Sequence, residues 1–183
     1  MKKAVLFLAT GFEETEAVAT ADVLRRGEID TRLVSITGDC KVTGAHGISL
    51  LADALFSEVD FSPIDALILP GGMPGAANLN ACEPLKQLLV AHHGKGKLVA
   101  AICAAPLVPG GLGLLKGCRA TCYPGFEGYL AGATLTNEGA VVHDRMITGK
   151  GPALVFDFAL KIVSCLQTQA RAESVAGDLL LIG

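Results

Sequence analysis

Residues 97–106, Lys97-Leu-Val-Ala-Ala-Ile-Cys-Ala-Ala-Pro106, carry an apolar run straight into a cysteine. After its first residue Lys97–Ile102 shows no polar alternation, the pattern of a strand covered on both faces. Cys103 is flanked by small residues, and a helix-like segment opens behind it. A sharp strand-to-helix turn needs small neighbours, and a nucleophile on such an elbow projects above its sheet. A thiol at a helix start is also expected to ionise below the free value of about 8.5. The stretch alone fits equally well a cysteine that fills space at a strand end.

The same alternation of short apolar runs and helical patterns extends in both directions. Ala4–Ala9, Thr31–Ile36 and Asp65–Leu69 read as strands, the last closed by Pro70-Gly71-Gly72. Glu13–Arg26 reads as a helix with Ala17, Val18, Ala21 and Leu24 on one face and acids in its first turn. Cys82–His93 is helical with Leu85, Leu88 and Leu89 inward and Gly94 after its end. Ala140–His143 and Met146–Thr148 form a hairpin turning at Asp144-Arg145, Pro152 opens a long helix to about Cys165, and Arg171–Leu181 forms another. Doubly buried strands separated by helices predict a mostly parallel sheet with helices on both faces, in one domain spanning residues 1–183. In such sheets ligands bind beyond the carboxyl ends of the strands. That rule singles out Gly11–Glu16, Pro70-Gly71-Gly72 and Cys103–Pro106.

Composition narrows the function classes. Fifteen Lys+Arg against eighteen Asp+Glu leave a net charge of −3, without the basic tract that duplex nucleic acid requires. Apolar residues make up 51% of the chain, more than a monomer of this size needs, which points to a buried interface with a partner. With no tryptophan, the core falls to Ala, Val, Ile and Leu. The apolar run behind Met1-Lys2-Lys3 meets Glu13, Glu14 and Glu16 too soon for a signal peptide. Leu98–Leu115 has the length of a membrane span but is broken by Pro106, Pro109, Gly110, Gly111 and Gly113. Cys40, Cys82, Cys103, Cys118, Cys122 and Cys165 make no CxxC and no zinc spacing, so they read as free thiols of a cytoplasmic protein, with no metal site. No GxGxxG and no GxxxxGK[ST] occurs, against nucleotide chemistry.

Gly71 and Gly72 let the backbone approach a reacting centre, and with the amide of Ala104 could supply oxyanion donors, although a Pro-Gly-Gly turn alone is common. Glu13, Glu14 and Glu16 fit the helix dipole. If Glu16 instead points at the sheet, it meets Cys103, and a productive pair then requires a protonated carboxyl donating to sulfur. His92 and His93, adjacent and facing different directions, fit a helix C-terminus better than a chelate. His143-Asp144 reads as a solvated turn. His46, in Thr43-Gly44-Ala45-His46-Gly47, either lines a cleft or sits on the surface.

These stretches, together with Asp22-Val-Leu-Arg-Arg26, Leu67-Ile-Leu-Pro-Gly-Gly72 and Thr148-Gly-Lys-Gly-Pro152, occur in an order that resembles the DJ-one branch of the ThiJ/PfpI superfamily. The resemblance covers essentially the whole chain. It implies a flavodoxin-like three-layer α/β sandwich, usually a homodimer. It also implies an oxidisable nucleophile at Cys103, a protonated carboxylic partner at Glu16, and oxyanion amides at Gly72 and Ala104. Tyr123 stands before Pro124 where glyoxalases of this branch often place a histidine. His46 appears in place of a cleft arginine, with Lys150 as another basic position, and Ala104 follows the cysteine where protease-like members have histidine, against a Cys-His peptidase. The implied activity is a cofactor-free glyoxalase or deglycase acting on methylglyoxal or on glycated amines and thiols. The alternative is a redox-sensing stress protein or chaperone in which Cys103 oxidation is the signal.

Overall fold

The computed structural model describes residues 1–181. The chain runs through β1 (Lys3–Leu8), α1 (Glu14–Arg26), β2 (Asp30–Ser35), the hairpin strands β3 (Lys41–Thr43) and β4 (Ser49–Leu51), and the short β5 (Ala54–Leu55). Next come β6 (Ala66–Leu69), α2 (Gly75–Ala81), α3 (Glu83–Gly94), β7 (Leu98–Ile102) and the five-residue α4 (Leu107–Gly111). The remainder holds β8 (Arg119–Ala120), β9 (Thr134–Leu135), the hairpin β10 (Ala140–His143) and β11 (Met146–Gly149), then α5 (Val155–Leu166) and α6 (Gln169–Asp178).

Seven strands form one sheet in the order β10-β11-β7-β6-β1-β2-β5. Every neighbouring pair is parallel except the β10–β11 hairpin. The chain leaves β1 toward β2, then crosses to the other side of β1 to lay down β6 and β7. Right-handed crossovers in opposite directions place their helices on opposite faces. α1, α5 and α6 pack together as one layer, while α2 lies against α3 and α4, and α3 covers β7. This is the expected three-layer sandwich. The strand order reverses between β1 and β6, and the crevice beyond their carboxyl ends is where such sheets receive ligands. Leu69 stands opposite Ala101, and Ile102 opposite Gly149, so β6, β7 and β11 finish side by side there.

The central strands are buried because helices cover both faces. All of Ala4–Ala9, Ala66–Leu69 and Leu98–Ile102 lie in the core. In α1, Ala17, Ala21 and Leu24 face inward as expected, but Val18 is 49% exposed. The inward stripe is completed by Thr20 and Val23. Glu16 lies one turn before Thr20 on that stripe, and helical spacing therefore buries it. Gly94 remains in α3; Gly96, with φ +70°, takes the left-handed position that follows. Leu88 is only half-buried. Pro152 begins a 3₁₀ turn that precedes α5, and α6 starts two residues before Arg171 because the Thr168 hydroxyl accepts from the Arg171 amide at 3.1 Å. Among the described residues, no helix is long and apolar enough to cross a membrane. Leu98–Leu115 is divided between β7, the elbow and α4.

His92 departs from its expected role. It is 3% exposed, and its Nε2 finds no hydrogen-bond partner. Burial, helped by the charges of Lys97 and Lys95, lowers its pKa to about 4 against the opposing pull of backbone groups at Asp65 and Leu98. A neutral ring offers the α3 dipole no cation. The unfolded chain takes up a proton on this residue below its ordinary 6.5, whereas the folded chain does so only near 4. Its contribution to stability is complete above 6.5 and is lost as the pH falls toward 4. Urea unfolding of wild type and His92→Leu should therefore diverge across this window, with wild type losing stability relative to the variant on acidification. A pH-independent difference would refute the neutral, buried histidine.

Candidate active site

Cys103 leaves β7 with φ +65°, a left-handed backbone that few residues with a side chain adopt. Two hydrogen bonds hold it there. Its N–H donates to the Gly149 carbonyl at 2.9 Å, and its own carbonyl accepts the Tyr123 N–H at 2.9 Å. Register explains the first, since β11 ends level with β7. The second fixes the segment that follows β8, which the Thr148 hydroxyl also secures by accepting the Thr121 N–H at 2.9 Å. The motif Thr148–Pro152 thus serves as the brace of the elbow. No pattern within the elbow itself signals this brace, because its partners are backbone groups.

Glu16 points at the sheet. It is fully buried, and its Oε2 accepts the Gly71 N–H at 2.7 Å. The Cys103 thiol lies against the same carboxyl group. Gly71 sits between them. A Cβ built there would lie 2.6 Å from the Cys103 Cβ and 2.9 Å from Glu16 Oε2, so only glycine permits this approach. Gly72, with φ +85°, passes so near the start of α1 that a Cβ would fall 2.5 Å from the Glu13 nitrogen.

The electrostatics follow from burial. Desolvation raises Glu16 to about 7, assisted by the charge of Glu13 and opposed by the hydrogen bonds from Gly71 and Cys103. Its Oε1 is sealed from water and has no hydrogen-bond partner, which disfavours the ionised form further. Burial likewise pushes the Cys103 thiol up to about 12, with the negative charge of Glu16 as the next cause. The expected acidification is therefore absent. α4 has a single turn, too little dipole to offset burial beside a carboxylate. The amides of Gly72 and Ala104 pull the other way, because both donate toward the sulfur and favour a thiolate. The two groups titrate as one unit. When Glu16 holds a proton, its charge no longer opposes the thiolate, and the two amides act unopposed by it.

The structure thus brings Cys103, Glu16, Gly71, Gly72 and Ala104 together. His46 is held elsewhere. It lies in the β3–β4 loop with its ring mostly exposed, its Nδ1 2.9 Å from Glu14 Oε2 and 3.6 Å from Glu13. The hydrogen bond to Glu14 raises its pKa, and the Glu13 charge adds to this. Glu14 is no solvated dipole acid: it is buried and accepts the amides of His46 at 2.7 Å and Ile48 at 3.3 Å. Burial works to raise its pKa, but these donors outweigh it and hold the carboxyl below the usual range. Tyr123 serves the elbow through its amide, while its ring turns toward Gly151. Lys150 binds Asn137 through its ammonium. All six cysteines are free thiols; Cys118 and Cys122 are buried with raised pKa values, Cys122 at about 11.

A doubly wound α/β sandwich with a cysteine on a strained elbow and a buried carboxyl from α1 defines the class of site. Residues 2–165 match the DJ-1/PfpI family, and the chain belongs to that family. It is 39% identical over 182 residues to Protein DJ-1 homolog B of Arabidopsis thaliana, covering 98% of this chain and 42% of that protein. The chain thus spans less than half the length of this plant relative. It is 33% identical over 171 residues to the glutathione-independent glyoxalase DJR-1.2 of Caenorhabditis elegans, covering 92% and 90% of the two chains. Among solved structures, the C103A mutant of the DJ-1 superfamily protein STM1931 from Salmonella typhimurium superposes with a TM-score of 0.93 at 36% identity, covering 98% of each chain.

Two measurements check this site. Glu16 has its folded pKa raised from 4.5 to about 7, so its contribution to stability is present below 4.5 and is lost as the pH rises through 7. Glu16→Gln should therefore gain on wild type in denaturant midpoint between pH 4.5 and 7, and the gap should level off above that. A gap that shrinks with rising pH would contradict the buried, protonatable carboxyl. Gly71→Ala should force Glu16 and Cys103 apart and, with the charge of Glu16 drawn away from the sulfur, speed alkylation of Cys103 at neutral pH, as peptide mapping after iodoacetamide would read. An unchanged rate would show that the close approach is dispensable.

Proposed function

We propose that this protein is a cofactor-free glyoxalase or deglycase-type enzyme acting on small reactive dicarbonyls. The observation that carries the reading is the buried pairing of Glu16 with Cys103 beside the amides of Gly72 and Ala104. A thiolate with an adjacent protonatable acid and two convergent N–H donors suits attack on a carbonyl. The sulfur adds to the aldehyde carbon of a 2-oxoaldehyde, and the oxyanion that forms takes the amide donors. Glu16 gives the proton of the former thiol to the neighbouring carbonyl oxygen, then takes the proton from the attacked carbon and returns it to the neighbouring carbon, leaving a thioester of the 2-hydroxy acid. Water cleaves the thioester, releasing the hydroxy acid and the thiol. One carbon is oxidised and its neighbour reduced, so no external electron carrier is needed. The relative named as a glutathione-independent glyoxalase supports the reading. Tyr123 offers a hydroxyl and no imidazole, and its ring turns toward Gly151, which leaves proton transfer to Glu16.

Methylglyoxal consumption with formation of lactate tests this directly. Cys103→Ala should abolish it. Glu16→Gln keeps a donor of similar shape yet exchanges no proton, so turnover should fall about a hundredfold or more while alkylation of the thiol persists. Glu16→Asp should weaken both. Turnover unaffected by Glu16→Gln would remove the proton shuttle. A second reading rests on the same two amides, which also suit the oxygens of a Cys103 sulfinic acid and so an oxidation sensor. If wild type turns over no dicarbonyl while mild peroxide oxidises Cys103 ahead of the other five thiols, the sensor reading holds.

The chain is also proposed to work as a homodimer. Val18 on α1, with Ile48 and Leu51 on the adjoining β3–β4 hairpin, stand 49%, 58% and 74% exposed, and a second copy would cover them. Light scattering at micromolar concentration should give about twice the chain mass for wild type and a lower mass for Val18→Asp. A monomeric wild type would reject the idea.

A further inference from the structure

Beside the elbow, a cavity of about 190 Å³ opens between Tyr123-Pro124 on one wall and Lys150–Leu154 on the other. Its place is fixed by the two bonds that hold Cys103. Tyr123 donates its amide to the Cys103 carbonyl, and the opposite wall begins one residue after Gly149, which accepts the Cys103 amide. The lining is apolar: the Tyr123 ring, Pro124, Gly151, Pro152 and Leu154, with the stem of Lys150, whose ammonium is engaged by Asn137. Backbone donors there are scarce. The amides of Lys150 and Leu154 already serve the carbonyls of Gly139 and Gly151, and the two prolines have none. A polar substituent would lose its water and gain little in return. A ring would not, and an apolar space of about 150 Å³ is known to accept benzene.

Resting on the carbonyl chemistry assigned to Cys103, we propose that this shelf is the subsite for a ring-sized apolar substituent on the substrate, so that aryl 2-oxoaldehydes are preferred to methylglyoxal. Gly151 matters to its depth. Its backbone is extended, so alanine is tolerated there, but a Cβ would reach within 3.3 Å of the Tyr123 ring and occupy the floor.

The test separates the subsite from the reaction. Phenacyl chloride and chloroacetone present the same electrophilic carbon, one carrying a ring and the other a methyl. In each, the Cys103 thiolate displaces chloride and forms a C–S bond. The ratio of the two alkylation rates at Cys103, divided by the ratio for glutathione, reads the shelf alone. Wild type should exceed glutathione by about tenfold, the low end of what an apolar pocket discriminates, because the shelf is open to solvent. Tyr123→Ala removes a wall and Gly151→Ala fills the floor, and each should bring the ratio close to that of glutathione. A wild-type ratio equal to that of glutathione, or a raised ratio that neither variant lowers, overturns the proposal. Turnover of phenylglyoxal and methylglyoxal is measured alongside. If the alkylation ratio behaves as expected and neither aldehyde is turned over, the reaction assignment falls and the subsite stands.

Discussion

The site depends on one strained residue. A left-handed backbone costs a residue with a side chain roughly 1–2 kcal/mol, and Cys103 is held in it by two backbone hydrogen bonds. The restraint comes from far along the chain: the Gly149 carbonyl at the end of β11, and the Tyr123 amide after β8. Those groups are in position because β7 and β11 are parallel neighbours that end level, so the sheet's register becomes the geometry of the site. Relaxing the elbow would carry the sulfur away from the Gly72 and Ala104 amides. The strain is therefore inseparable from the environment that a thiolate needs.

Two acids on the first turn of α1 show how donors, rather than burial alone, set charge. Glu14 and Glu16 are both buried. Glu14 accepts two backbone amides and faces the His46 ring, and its carboxyl is held below the usual range. Glu16 accepts one amide, leaves an oxygen unpartnered and rises to about 7. The first acts as an anchor for the 44–48 loop. The second can gain and lose a proton near neutrality, the property a general acid–base requires. Holding such a group in the core works against stability above its pKa, a conflict common where function and folding meet.

The elbow also organises its surroundings asymmetrically. On one side stand the polar groups that meet charge: Glu16, Gly72 and Ala104. On the other, Tyr123 and the segment after β11 present apolar surface whose backbone donors are already engaged. On the proposed reaction, the reacting atoms and an inert substituent would meet different walls, which is how a site can bind through one part of a molecule and react at another.

The sequence by itself determined the sheet's character and pointed to the place of the candidate site. Unbroken apolar runs between helical patterns mean strands covered on both faces, and Cys103, Gly71 and Gly72 follow such runs directly. Glycine at 71 and 72 and alanine at 104 were legible for the same reason, since small residues at strand ends mark close approach. Pattern alone left Glu16 as one of three acids, and it was the family resemblance that singled it out as the partner of Cys103. Its burial depended on which way α1 rolls on the sheet, and Val18, expected inside, lies outside because the inward stripe passes through Thr20 and Val23. The thiol's raised pKa, the neutral His92 and the anchoring of His46 by Glu14 were likewise decided in three dimensions. Ionisation answers to how many donors converge and how much water is excluded, and those are sums over neighbours distant in the chain. Local pattern fixes which residues can be buried, whereas only the packed structure fixes what each then faces.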